Sequence, residues 1–351
     1  MGFVKKFGKY PDAKRETHFQ TLSNYRQHKF QNPIPTPPLA EGVNMLKILW
    51  KFFRKQPDTA PQQPIPHIVT DLKNLDSAEN VLVWFGHSSY FIQADGRRFL
   101  IDPVFSGNAS PVPGSVKAFP GTDDYKVEDL PDIDVLLISH DHWDHLDYPT
   151  IQQLKNKIGS VICALGVARH FEYWGWKQDK LIEKNWYEHV DLGAGFSVTL
   201  TPARHFSGRL FKRNASLWTS FVLKTPTKKL FLGGDSGYSP HFKAVGEQFG
   251  PFDLAVLECG QYNSQWPYIH SFPEDLLIEA TDLNTRHFIP VHHSKFKLSN
   301  HPWYEPLQRV TNAAEKENKS VTTPKIGEKV NLDQLDKSWE KWWEALINLK
   351  E

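Results

Sequence analysis

The stretch His140-Asp141-His142-Trp143-Asp144-His145 places four potential metal ligands, three imidazoles and the Asp144 carboxylate, within six residues. Neutral imidazole nitrogen and carboxylate oxygen suit zinc, and also iron or manganese, and no cysteine lies in the motif. The apolar run Val135-Leu136-Leu137-Ile138 immediately before it reads as a buried strand that delivers these side chains to its C-terminal edge. A single His-X-His is as often a polar turn as a metal site. The full H-x-H-x-D-H pattern at a strand end points to metal, because strand followed by turn is the context such a motif requires.

Three further runs end in the same residue types. Thr199-Leu200-Thr201-Pro202-Ala203-Arg204-His205 is a strand closing on a histidine. Lys229-Leu230-Phe231-Leu232-Gly233-Gly234-Asp235 closes on an aspartate after two glycines, and His287-Phe288-Ile289-Pro290-Val291-His292-His293 closes on a pair of histidines. Any one of these taken alone is an ordinary strand end. His292 and His293 cannot both face one metal centre if the strand persists, because successive side chains point to opposite sides.

With these pieces in place, the chain resembles the metallo-β-lactamase superfamily of binuclear metal hydrolases. The resemblance implies an α+β fold, an αββα sandwich of two mixed sheets flanked by helices. It assigns His140, His142 and His205 to one metal and Asp144, His145 and His292 to the other, with Asp235 bridging. His292 is preferred over His293 because the family places its ligand first after the apolar run. Two divalent ions are implied, zinc first, with a bridging hydroxide as nucleophile.

A narrower likeness rests on Trp84-Phe85-Gly86-His87-Ser88-Ser89, Ile101-Asp102-Pro103-Val104-Phe105-Ser106, the histidine motif extended through Leu146-Asp147, and Gly234-Asp235-Ser236-Gly237-Tyr238. These are similar to motifs of the zinc phospholipase D that hydrolyses N-acylphosphatidylethanolamine, and of its bacterial relatives. The likeness runs over roughly residues 43 to 330. It implies a phosphodiesterase acting on such a lipid or another phosphodiester, with Asp144 and His270 as catalytic groups. His270 is the candidate for a substrate-phosphate contact or proton donor. His87 and Asp102 are candidates for groups that touch the ligands, Asp102 by orienting a ligand histidine. There are departures: Ile269 stands where a glutamine is usual, and His293-Ser294-Lys295 replaces Trp-Gly-Thr after the last ligand. A lactonase or other carbonyl hydrolase on the same metals is the alternative, and a non-catalytic metal- or lipid-binding protein a second.

The rest of the chain must position these groups. Its 351 residues, 40% hydrophobic, can bury a sizeable core. With 41 basic and 40 acidic residues the net charge is +1, so no general field for a polyanion exists and no nucleic-acid partner is expected. Cys163 and Cys259 are far apart in apolar runs and read as free thiols of a reducing cytoplasm. No secretory leader or membrane-spanning run is evident.

Residues 1–75 read as an N-terminal extension, 76–330 as the hydrolase domain, and 331–351 as a C-terminal helix packing on it. In the extension, Met45, Ile48, Leu49, Phe52 and Phe53 recur at helical spacing opposite Lys47, Lys51, Arg54 and Lys55. This basic amphipathic helix, over residues 45–55, is expected either to touch a membrane surface or to pack on the core. Further helices are expected after Pro149, after Pro240 and over Pro273–Leu283, the last with a Ser271/Glu274 capping box.

Overall fold

The computed structural model describes residues 5–43, 56–209 and 212–347. In chain order, β1 (Tyr25–Arg26) and β2 (Lys29–Phe30) form a small hairpin. One sheet is built from β3 (Val81–Trp84), β4 (Tyr90–Ala94), β5 (Arg97–Ile101), β6 (Ile133–Ile138), β7 (Ile158–Ala164) and β8 (Leu181–Lys184). A second contains β9 (His189–Gly193), β10 (Phe196–Thr201), β11 (Ser220–Lys224), β12 (Lys229–Leu232), β13 (Leu254–Glu258) and β14 (Phe288–Val291). Finally β15 (Lys329–Asn331) returns to the first sheet beside β3, giving the orders β15-β3-β4-β5-β6-β7-β8 and β14-β13-β12-β11-β10-β9.

Side-chain alternation explains the layering. In β13, Leu254 and Val256 enter the main core, while Ala255 and Leu257 belong to a second cluster with Phe242, Leu276 and Val310 from three helices. Those helices, His241–Phe249, Asp275–Asp282 and Glu305–Lys316, therefore cover the outer face of the second sheet. Between the sheets, Phe99 stacks on Phe196 at 6.4 Å. Helices Tyr148–Leu154 and Ala168–Tyr173 bury Ile151, Leu154 and Phe171 in the main core. The result is the αββα sandwich.

Strand direction then collects the functional ends. β11 is antiparallel to both β10 and β12, and β12, β13 and β14 are mutually parallel, so β10, β12, β13 and β14 all run the same way. Their C-terminal ends share one edge. The C-terminal end of β6 reaches that edge from the other sheet, where the Thr219 N–H donates to the Ser139 carbonyl at 3.0 Å.

Two local expectations are corrected. Ser271 and Glu274 do not form a capping box: the Ser271 hydroxyl bonds to Glu279 and to the Ser236 carbonyl, and Glu274 pairs with Arg309. Long-range partners win over the local cap. In the C-terminal segment 331–351, only Glu344–Ile347 is helical among the described residues. Asn331 accepts from the Asp333 N–H at 2.9 Å, a local turn that competes with helix, and the segment is held instead by buried Trp342 and Trp343.

The N-terminal residues are built into the same body. Phe19, Tyr25 and Phe30 lie in the main core. The segment after them crosses the functional edge: Asn32 exchanges two hydrogen bonds with the His205 backbone, Arg204 donates to Thr36, and the Ala40 N–H donates to the Gln265 carbonyl. The amphipathic stretch 45–55 lies outside the described residues. Among the described residues no helix is long and apolar enough to cross a membrane.

Candidate metal centre and its pocket

The structure brings all seven sequence-predicted ligands to this edge. Donor atoms of His140, His142, His205 and Asp235 lie within 4.8 Å of one another, as do those of His87, Asp144, His145 and His292. Asp235 joins the two groups. Its Oδ2 lies 3.8 Å from His140 Nε2 and 3.6 Å from His205 Nε2, while its Oδ1 lies 3.2 Å from His145 Nε2 and 3.3 Å from His292 Nδ1. One oxygen faces each group, as a bridging carboxylate requires.

His292 turns inward and His293 away. The His293 Nε2–H donates to the Pro290 carbonyl at 3.0 Å and its Nδ1 accepts from Ser294, so both ring nitrogens are committed elsewhere. His292 adopts a positive φ of 69°, a conformation rare for a non-glycine residue, which redirects its side chain just beyond the strand. Gly260 must be glycine for this turn to fit, because a Cβ there would run into the His292 carbonyl oxygen.

Hydrogen bonds behind the imidazoles fix their orientation. Asp102 accepts from His145 Nδ1 at 2.8 Å and from the Ser139 N–H at 2.8 Å. The Ser139 hydroxyl sits 2.9 Å from His140 Nδ1, and the His205 Nδ1–H donates to the Ile269 carbonyl at 2.8 Å. Ser88 Oγ is 2.8 Å from His292 Nδ1, and His87 Nε2 is 2.9 Å from Asp144 Oδ2. His87 thus steadies a candidate ligand directly. With Nδ1 occupied from behind, His140, His145 and His205 turn Nε2 inward, whereas His142 presents Nδ1, 2.9 Å from His140 Nε2.

The electrostatics suit a cation. Burial and neighbouring imidazoles push His140, His205 and His292 well below the ordinary histidine value, and burial takes His142 down to about 4 despite Asp144 and Asp141. These rings are neutral donors. Burial lifts the Asp235 carboxyl to about 6; for Asp144 burial also acts upward, but His145 and His87 outweigh it and hold that carboxyl down. His145 Nε2 and Asp235 Oδ1 are buried without a hydrogen-bond partner, 3.2 Å apart but misaligned. Unpaired donor atoms at this depth cost free energy, and divalent cations held by these residues would satisfy them. The donor set fits two such ions.

Above the ligands opens a pocket of about 310 Å³. His142, Asp144, His205, Asp235, His270 and His292 form its polar floor, and Pro38, Leu39, Phe206, Trp266, Ile269 and Leu298 supply apolar walls. Arg213 stands at the wall with its guanidinium 3.8 Å over the Phe206 ring. His270 Nδ1 contacts Glu258 Oε1 at 3.0 Å, and its ring stacks 5.3 Å from His292.

A family model described as "Beta-lactamase superfamily domain" matches residues 97–293. The chain belongs to the beta-lactamase superfamily. An uncharacterized protein of Mycobacterium tuberculosis is 36% identical over 315 residues, covering 88% of this chain and 84% of that protein. An N-acyl-phosphatidylethanolamine-hydrolyzing phospholipase D of Caenorhabditis elegans is 30% identical over 245 residues, covering 65% of this chain and 67% of its own. Among solved structures, a metallo hydrolase from the archaeon Ignicoccus hospitalis superposes with a TM-score of 0.55 at 21% identity, covering 72% of this chain and 97% of its own. At that identity the likeness speaks for the fold. The protein is a metal-dependent hydrolase of metallo-β-lactamase fold.

Several groups of this superfamily member escape a reading of motifs. Ser88 and Ser139 are ordinary residue types whose roles appear only when the sheets meet. Pro38 and Leu39 lie more than a hundred residues before His142 and carry no periodic signal for the pocket. Glu258 offered a signal: an acid closing the apolar run Leu254-Ala255-Val256-Leu257.

Proposed function

We propose that the protein is a phosphodiesterase of phospholipase D type, acting on N-acylphosphatidylethanolamine or a lipid of the same charge and shape, with zinc as its metal. The observation that carries this reading is the pocket itself, in which anion-receptive groups and apolar walls adjoin the candidate metal ligands. The relative from C. elegans named for this activity supports it. Two divalent cations, held by His140, His142 and His205, by Asp144, His145 and His292, and by Asp235 between them, would supply positive charge for the phosphoryl oxygens and a more acidic water. Arg213 pairs with substrate phosphate, and the apolar walls receive hydrocarbon. Water attacks phosphorus, the P–O bond to the N-acylethanolamine breaks, and His270 returns a proton to the leaving oxygen. The basic amphipathic pattern of residues 45–55, two residues beyond Val43, fits a peripheral approach to an anionic lipid surface.

The test is product analysis of the zinc-loaded protein on vesicles containing N-acylphosphatidylethanolamine, beside a soluble phosphodiester and an acyl lactone. Phosphatidic acid and free N-acylethanolamine are expected. Lactone opening without any phosphodiester cleavage would replace this reading with a carbonyl hydrolase.

A further inference from the structure

Behind His270 lies a buried carboxyl group that the chemistry above does not use. Glu258 ends β13, is 3% exposed, and sits among donors. Its Oε1 accepts the Ser236 N–H at 3.3 Å and the Ser271 N–H at 3.2 Å, and lies 3.0 Å from His270 Nδ1. Backbone N–H groups can only donate, so an oxygen that already takes two of them is an acceptor toward the third partner as well. The proton between Glu258 and His270 therefore resides on Nδ1.

We infer that Glu258 is the positioning residue for His270: it fixes the Nδ1–H tautomer and directs Nε2, the remaining ring nitrogen, into the pocket. The loop carrying His270 is clamped just ahead of this contact. The Ile269 carbonyl accepts from His205, and Gly237 packs so closely on the Tyr268 carbonyl that a Cβ there would collide with it. With backbone and Nδ1 both held, His270 has one nitrogen left for proton transfer. Nε2 takes a proton released by the attacking water and gives it to the leaving oxygen as the P–O bond breaks, while the Nδ1 proton stays with Glu258. This arrangement resembles in logic the acid that orients the histidine of a hydrolytic triad.

The inference rests on the proton role proposed for His270, and the experiment separates the two. In the zinc-loaded protein with 15N-labelled histidine, the His270 signals should show a protonated Nδ1 and an unprotonated Nε2, a readout that needs no substrate. Glu258→Gln, whose amide oxygen still accepts, should keep that tautomer and most activity on N-acylphosphatidylethanolamine micelles. Glu258→Ala should lose the tautomer preference and about 100-fold in kcat with KM and zinc content unchanged, of the order expected for general acid–base catalysis. Adding Glu258→Ala to His270→Ala should then cost nothing further. An Nε2–H tautomer in the native protein, or multiplicative losses in the double variant, overturns the inference. Should Glu258→Ala fail to fold, the native tautomer and the Glu258→Gln kinetics decide. If the micelles are not cleaved at all, the proposed substrate falls while the NMR result still judges Glu258.

Discussion

The floor of the pocket and its walls are built by different rules. The candidate ligands follow β6, β10, β12 and β14, and the imidazoles of His140, His145, His205 and His292 are each braced by a carboxylate, hydroxyl or carbonyl. The walls come from loops and from the N-terminal strap, where Leu39 and Pro38 share the rim with Trp266 and Leu298. Strand ends hold geometry with little freedom, whereas loops vary without disturbing it. The floor therefore sets what is activated, and the walls set what is admitted.

This division can be broken experimentally. Asp235→Ala should empty both metal positions and cut turnover on the order of 10³-fold, the rate equivalent of several kcal/mol of lost charge stabilisation. His205→Ala should release mainly one ion. Elemental analysis of both variants decides: unchanged metal in Asp235→Ala removes the bridge from the floor.

A smaller loss is expected behind the floor, where Asp102→Ala deprives His145 of its partner. Metal affinity should fall about 10–100-fold in chelator competition, as second-layer partners of metal ligands generally require. Native affinity would mean that His145 holds its orientation by packing alone.

Acid should weaken the floor's surroundings. Burial pushes His241 and His293 down to about 3, so both stay neutral in the fold while the unfolded chain takes up protons near the ordinary value of about 6.5. A depressed histidine costs stability as pH falls below 6.5, and the cost grows until about 3. At pH 5 each contributes a loss of about 2 kcal/mol. Denaturant titrations of chelated protein at pH 7 and 5 should show this, with a shallower dependence in His293→Gln. A dependence unchanged by that substitution would show that His293 does not carry it.

The mildest change belongs to the wall. Arg213 is exposed, and Arg213→Ala should raise KM for an anionic substrate several-fold at unchanged kcat and metal content, since a solvated charge pair contributes about 1 kcal/mol. A fall in kcat with normal KM would move Arg213 from admission to chemistry.

The same division governs what could be read from the chain. The His140–His145 motif was legible because the apolar run before it announces a strand, and His205, Asp235 and His292 because the superfamily resemblance implies ligands just beyond later apolar runs. The family pattern already selects His292 over His293, and the turn geometry at φ 69°, which a period of two does not describe, supplies the physical reason. Asp102 was legible as a candidate from its motif, whereas its partner His145 became visible only once β5 and β6 paired. Ser271 illustrates the opposite outcome, since its spacing to Glu274 suggested a helix cap and Glu279 claimed it instead.

Asn32 and His205 exchange hydrogen bonds across 173 positions of sequence, and Ser88 meets His292 across 204. Contacts of such separation close late, because the intervening chain must order before they gain anything. During synthesis the first forty residues and the histidine motif emerge long before their partners, so the centre cannot be completed until β14 has left the ribosome. Metal captured earlier by His140 and His142 alone would be held by an incomplete set. Maturation of the enzyme is thus coupled to the synthesis of β14, and a chain interrupted before His292 should carry the signature motif without being able to complete the candidate metal centre.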